Sequence, residues 1–167
     1  MAVANRDTYR TFCSDHAGVL PVFYHDWYLD AVCGHDKWGT ALVEKDNQVV
    51  GIWPWFQKKR FGFTYLAMPL FTKFMGPWIL PGAGDHRQRL RWIEQLCEQL
   101  PKVDCIKADC HYQFANWLPL YWQGFRQTTR YSYQLDLSKD LGDLRKGLNR
   151  NMRRNVKSAT DDLEVRP

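Results

Sequence analysis

The sequence has little that would mark it as secreted, membrane-spanning or built on a resident cofactor. Residues Met1 to His16 contain no apolar core of the kind a signal peptide needs. The most apolar stretch, Phe63 to Pro81, is interrupted by Lys73, Gly76, Pro69 and Pro77. Strands and turns account for it better than a membrane span, which needs about 20 consecutive apolar residues. Cysteines are few, and the five (Cys13, Cys33, Cys97, Cys105 and Cys110) are odd in number and without framework spacing. That pattern argues against a disulfide scaffold and fits reduced thiols in a cytoplasmic protein. Cys105, Cys110 and His111 offer ligand atoms, but no second pair completes a zinc set. There is no Gly-x-Ser-x-Gly elbow, Walker loop or kinase signature. His16, His25, His35, His86 and His111 are scattered and read as surface or capping residues rather than bases. Nothing in the sequence identifies a nucleophile, and no repeat or low-complexity segment is visible.

One absence is local. Between Leu144 and Thr160 there is no Asp or Glu, yet the segment holds Lys146, Arg150, Arg153, Arg154 and Lys157. Placed at about 100° per residue, these cations gather opposite Leu141, Leu144, Leu148, Met152, Val156 and Ala159. The spacing predicts an amphipathic helix with a purely cationic wet face. Asp140 and Asp143 fall in its first turn, where the helix dipole favours them, and Asp161 and Asp162 at its exit. Gly147 weakens it midway and predicts a split into a short helix and a longer one. Asn151 and Asn155 lie at the edge of the apolar stripe. A solvated basic face is the plain reading; cations unrelieved by acid suggest an anionic partner. Net charge is only +5 and the pI near 9.0, so the excess reads as a local anion site rather than a nucleic-acid-coating surface.

What is abundant is aromatic: 8 Trp, 8 Tyr and 9 Phe in 167 residues, enough for a thick core in one domain of ordinary size. In chain order, helices are expected at Asp7 to His16 and from Phe23 to about Cys33, with Gly34 as stop. Gly39–Glu44 and Gln48–Gln57 read as strands joined by Lys45-Asp46-Asn47. Gly51 and Pro54 mark a bulge or an edge. Lys58-Lys59-Arg60 reads as a basic turn before a strand near Thr64 to Ala67, and Met68 to Pro77 as irregular. Trp78 to Leu80 is a short strand. Gly82-Ala83-Gly84 opens a helix capped by Asp85 with Gln88 three residues on, and Leu90, Ile93, Leu96, Cys97 and Leu100 form its buried stripe. A strand, Gly-Ala-Gly and a helix look like a phosphate cradle. Asp85 would repel phosphate there and already occupies those donors, so a structural turn is the stronger reading. Val103 to Ala108 reads as a strand, Asn116 to Trp122 as a short helix, and Thr128 to Leu137 and Leu163 to Arg166 as strands. The class is α/β with a mixed sheet.

The order of these features resembles the N-terminal half of Fem-type peptidyltransferases and the related tandem acyltransferases of the GNAT superfamily. The matching pieces are Phe23-x-x-x-Trp27, Val49-Val-Gly-Ile-Trp-Pro54, Gly76-Pro77, Tyr133-x-Leu135-x-Leu137, and Arg150-Asn-Met-Arg-Arg-Asn-Val-Lys157. The resemblance implies a GNAT-like, largely antiparallel sheet flanked by helices, filling residues 1–167, with a second GNAT-like half following. It implies amide formation on a small-molecule or peptide amine, from an acyl-CoA or aminoacyl-tRNA donor, with this half shaping the acceptor site. Acyl-CoA or aminoacyl-tRNA would be a co-substrate and no cofactor is expected to stay bound. The GNAT donor signature would fall at Ile79 to Gly84, where Ile79 stands in place of its cation or amide, so this half looks degenerate for acyl-CoA and inactive alone. The expected binding residues are Arg150, Arg153, Arg154 and Lys157 on the basic helix, and Lys73 and Trp78 of the aromatic loop. The rival reading is a non-catalytic module that binds RNA or another polyanion through that helix; a third is a half-domain with no ligand of its own. An unpaired strand at the C-terminal edge would favour a homodimer.

Overall fold

The computed structural model describes residues 2–35, 37–131 and 133–163. Backbone packing divides the chain into two compact units, Met1–Gln127 and Thr128–Pro167.

The first unit is mixed α/β. It is built on the hairpin β1 (Gly39–Lys45) and β2 (Gln48–Trp55), whose two-residue turn places Asp46 at φ 53 and Asn47 at φ 63. Those left-handed angles are what a tight hairpin matching the strand twist demands, and Asn and Asp tolerate them better than most residues. β5 (Trp78–Ile79) pairs antiparallel with β2 at Gly51 and Ile52, giving the order β1-β2-β5. Expected irregularity at Gly51 is borne out as a bulge: Val43 faces Gly51 while Glu44 faces Val49, leaving Val50 as the extra residue. A side chain at Gly51 would run into Ile79 at 2.7 Å and touch Leu96, on the face where Val50 is buried. Pro54 stays in register opposite Thr40, beyond the reach of β5. At the open end of the hairpin, Trp55 lies directly over Gly39, where an added Cβ would fall 2.1 Å from the ring.

This sheet is buried on both faces, which explains why its strands read as apolar runs rather than as alternation. On one side pack α1 (Ala2–Asp15), a 3₁₀ turn (Val22–Tyr24) and α2 (Asp26–Cys33), which ends at Gly34 with φ 91. Tyr9, Phe12, Tyr24, Leu29, Trp38, Ile52 and Trp78 form that core. Tyr9 donates its hydroxyl to the Tyr24 carbonyl at 2.6 Å, and Arg10 ties the helices together through Asp26 (3.0 Å) and Asp30 (2.9 Å). On the other side lie α3 (His86–Glu98) and α4 (Leu118–Trp122), with Ala41, Val43, Trp53, Trp92, Leu96 and Leu120 between. The α3 capping box is complete: Gln88 N–H donates to Asp85 at 2.8 Å and Asp85 N–H to the Gln88 side chain at 3.0 Å. Ile93 and Leu96 are buried as the periodicity requires, and Trp92 joins them.

A second sheet holds β3 (Gln57–Arg60), β4 (Phe63–Leu66) and β6 (Cys105–Ile106), with β3 and β4 antiparallel and β4 and β6 parallel. Lys58, Lys59 and Arg60 therefore lie on a strand, and the turn falls one step later at Phe61 (φ 51) and Gly62 (φ 84). The cations are tolerated because the strand is at the sheet edge, in water. The strand expected over Val103 to Ala108 shrinks to the two residues of β6.

In the second unit, the strand expected over Thr128 to Leu137 is not formed among the described residues, and no described strand supplies ladder hydrogen bonds there, without which alternation alone makes none. The helix does split: α5 (Leu141–Gly147) stops at Leu148, whose backbone is extended, and Asn149 caps α6 (Arg150–Asp162) by accepting from Met152 N–H at 2.8 Å. Residues Glu164 to Pro167, most of the last expected strand and of the edge through which a homodimer was expected, lie outside the described residues. Among the described residues no helix is long and apolar enough to cross a membrane.

Candidate functional site

A cleft of about 430 Å³ opens in the first unit between α3, β5 and the irregular segment 111–116. That is within the range of small-molecule sites. A second hollow, bordered by Trp53 and Met75, offers about 10 Å³, roughly room for one water and not for a ligand. Trp78, Ile79, Ile93 and Phe114 supply apolar surface to the cleft, and His86, Arg89, His111, Gln113 and Asn116 supply the polar groups. Among the described residues, no carboxylate lines it.

The two walls come from sequence far apart. Capping by Asp85 places His86 at the first helical position of α3, and Arg89, one turn on, lines the same cleft. Arg89 half-buries and donates Nε–H to the Ala83 carbonyl at 2.8 Å, so the Gly-Ala-Gly turn holds the arginine in place. The opposite wall starts where Met75 N–H bonds the Asp109 carbonyl at 2.9 Å and Gly76 passes so close to Cys110 that a Cβ would meet its sulfur at 2.7 Å. There His111 is 8 % exposed, its ring 5.0 Å from Phe74 and 4.1 Å from Tyr112. Burial holds its pKa below the usual histidine value. Gln113 N–H donates to His111 Nδ1 at 3.3 Å, which leaves Nε2 to carry the proton of the neutral ring. Asn116 Oδ1 accepts from Leu118 N–H at 3.1 Å, so its amide nitrogen faces His86 Nε2 at 3.4 Å and joins the walls.

Of the residues expected to bind substrate, Trp78 is buried on β5 and lines this cleft. Lys73 is exposed on the aromatic loop and does not line it. In the same loop Phe71 is 91 % exposed at φ 62, its carbonyl accepting from Tyr28 Oη at 2.8 Å, while Phe74 packs against Phe23. Arg150, Arg153, Arg154 and Lys157 share one side of α6, all exposed. None of these four has an ion-pair partner among the described residues. Lys146 is separated from them: it sits on α5, where it pairs with Asp143, three residues earlier on the same helix, at 3.0 Å. His86, Arg89, His111 and Asn116 were not singled out as binding residues from sequence. The available signal was the capping box, which fixes the direction of the first turn of α3.

Four of the five thiols are suppressed as nucleophiles, and Cys105 is exposed. Burial pushes Cys13, Cys33 and Cys97 up to about 12 and Cys110 to about 11. Among the described residues, no three His, Cys, Asp or Glu side chains gather as metal ligands would. The sequence matches no family model, no curated protein and no solved structure.

Proposed function

We propose that the chain is one GNAT-like half of an acyl- or aminoacyl-transferase, and that the α3 cleft is its acceptor site. The observation that carries this reading is an apolar cleft of about 430 Å³ bordered by the neutral, buried His111. Amide formation from a thioester or ester needs the amine deprotonated and held in line, and a donor for the developing oxyanion. A neutral imidazole with its proton on Nε2 is such a donor, and no protein nucleophile is required. That agrees with four thiols raised to about 11 or 12 by burial. Ile79 faces the core beside Gly51 and the α3 cap is satisfied internally, so the loop at 79–84 is poorly equipped for a CoA pyrophosphate. The donor is then brought by a second half.

The test is a titration of the chain with a panel of amines, followed by nuclear magnetic resonance, together with an acetyl-CoA transfer assay. Saturable shifts at the Trp78 indole and the His111 ring are expected, with no turnover by this chain alone. Absence of binding by every amine overturns the acceptor site. A monomer that turns over acetyl-CoA overturns the half-enzyme reading.

A second reading is favoured by the four cations of α6, unpaired among the described residues: this helix binds RNA or another polyanion. Affinity for tRNA should fall with salt in proportion to the phosphates neutralised. Replacing Arg150, Arg153 and Arg154 together with Glu should abolish it without unfolding the protein. Equal binding by wild type and triple variant would leave the face merely solvated.

A further inference from the structure

Arg89 is the one Lys or Arg lining the α3 cleft among the described residues, and its surroundings are unusual for a half-buried arginine. Among the described residues, no carboxylate borders the cleft and Arg89 has no ion pair. A partly desolvated charge without a counter-ion is normally avoided. The side chain is not loose either, since Nε is held by the Ala83 carbonyl at 2.8 Å. Fixing Nε orients the guanidinium and leaves both terminal nitrogens as a fork, the geometry that meets a planar oxyanion with two parallel hydrogen bonds. The other polar groups of the lining, His86, His111, Gln113 and Asn116, are all without formal negative charge. Beyond them the surface is apolar, from Trp78 to Phe114.

We infer that the α3 cleft takes a small organic carboxylate with an apolar body, its carboxylate anchored on Arg89 and its body laid against Trp78, Ile93 and Phe114. Joined to the proposed function, on which this last step rests, the acceptor amine belongs to an amino acid or a peptide end rather than to a simple alkylamine. An amino-acid carboxylate on Arg89 would hold its α-amine a few bonds away, inside the cleft.

The experiment uses the whole chain and four probes: 3-phenylpropionate, its neutral amide, phenethylamine and L-phenylalanine. Binding is followed by nuclear magnetic resonance shifts of the Trp78 indole and the Asn116 side-chain amide. The carboxylate and L-phenylalanine should bind saturably, and the neutral amide and phenethylamine should be weaker by roughly 10- to 100-fold. Arg89→Ala should lose a similar factor, with Arg89→Lys between, since a point charge keeps attraction but not the fork. Neutral amide binding as tightly as the carboxylate overturns the inference without any variant, as does silence from every probe. Unchanged carboxylate affinity in folded Arg89→Lys and Arg89→Ala does the same. Carboxylate binding with no transfer chemistry by any assembled form would keep this site and remove the transferase. Transfer to phenethylamine as readily as to L-phenylalanine would do the reverse.

Discussion

Two glycines in one turn, two residues apart, should respond very differently to the same methyl group. Gly82 has φ 81 and nothing within 4 Å of its missing Cβ. Gly84 has φ 61, and a Cβ there would fall 2.4 and 2.6 Å from carbons of the Trp92 ring and 3.1 Å from Gln88 Oε1. Alanine in the left-handed region costs about 1–2 kcal/mol at either position. Gly82→Ala meets that cost and nothing else. Gly84→Ala also forces aside a buried indole, for about 1–3 kcal/mol of overpacking, and it crowds the side chain that completes the cap of α3. Gly84→Ala should therefore be destabilised by about 2–5 kcal/mol and Gly82→Ala by about 1–2 kcal/mol. For a chain of this size that is a fall in melting temperature of about 4–20 °C against about 2–8 °C. Urea and thermal unfolding, followed by circular dichroism, measure both. Trp92→Phe supplies the check, because a smaller ring should relieve part of the Gly84→Ala penalty and the pair should couple by about 0.5–3 kcal/mol. Equal losses in the two glycine variants, or strict additivity with Trp92→Phe, would show that the turn is not held open by the indole.

Other outcomes follow from the core. Tyr9→Phe should cost about 1–3 kcal/mol in urea, because it removes the strong donor to the buried Tyr24 carbonyl and leaves it the weak Cys13 thiol at 3.6 Å; a change within error would deny that bond any weight. Cys13, Cys33 and Cys97 stand at about 12 and Cys110 at about 11 against an ordinary value of 9.0. The folded chain thus keeps protons that the unfolded chain releases, so stability should be whole below about pH 9 and fall as pH rises towards 11–12. Urea midpoints that stay flat between pH 8.5 and 10.5 would contradict it. Exposed Cys105 should react with a thiol reagent in native buffer well before buried Cys13 and Cys33 and half-buried Cys97 and Cys110, and two fast thiols would refute that ordering.

Local chemistry in the sequence was a good guide wherever a few neighbouring residues settle the outcome. Lys45-Asp46-Asn47 announced the hairpin, Asp85 with Gln88 the capping box, Gly34 a helix stop, and Gly147 the break between α5 and α6. Pairing partners are a different matter, because they depend on chain that is distant. Tyr133, Leu135 and Leu137 alternate like a strand, yet alternation does not provide a neighbour. Lys58 to Arg60 looks like a turn by charge, and only the positive φ of Phe61 and Gly62 moves the turn past it. The candidate site was legible only at Trp78, flagged by the composition of its loop. His86 and Asn116 meet across 30 positions, and nothing local to either residue announces that contact.

The Gly39–Trp55 pair at the open end of the hairpin has a consequence for register. Side chains along a strand repeat every two residues, so a slip of one position turns the buried set of β1 towards the opposite helices. Slip also brings Trp38 or Thr40 opposite Trp55, and both carry a side chain where the indole now lies flat on bare backbone. At the far end, Asp46 and Asn47 allow only a two-residue turn between Lys45 and Gln48. The hairpin is thus keyed at both ends, by an empty position at one and by a left-handed corner at the other. The bulge at Val50 between them can bend the strand without letting it slide.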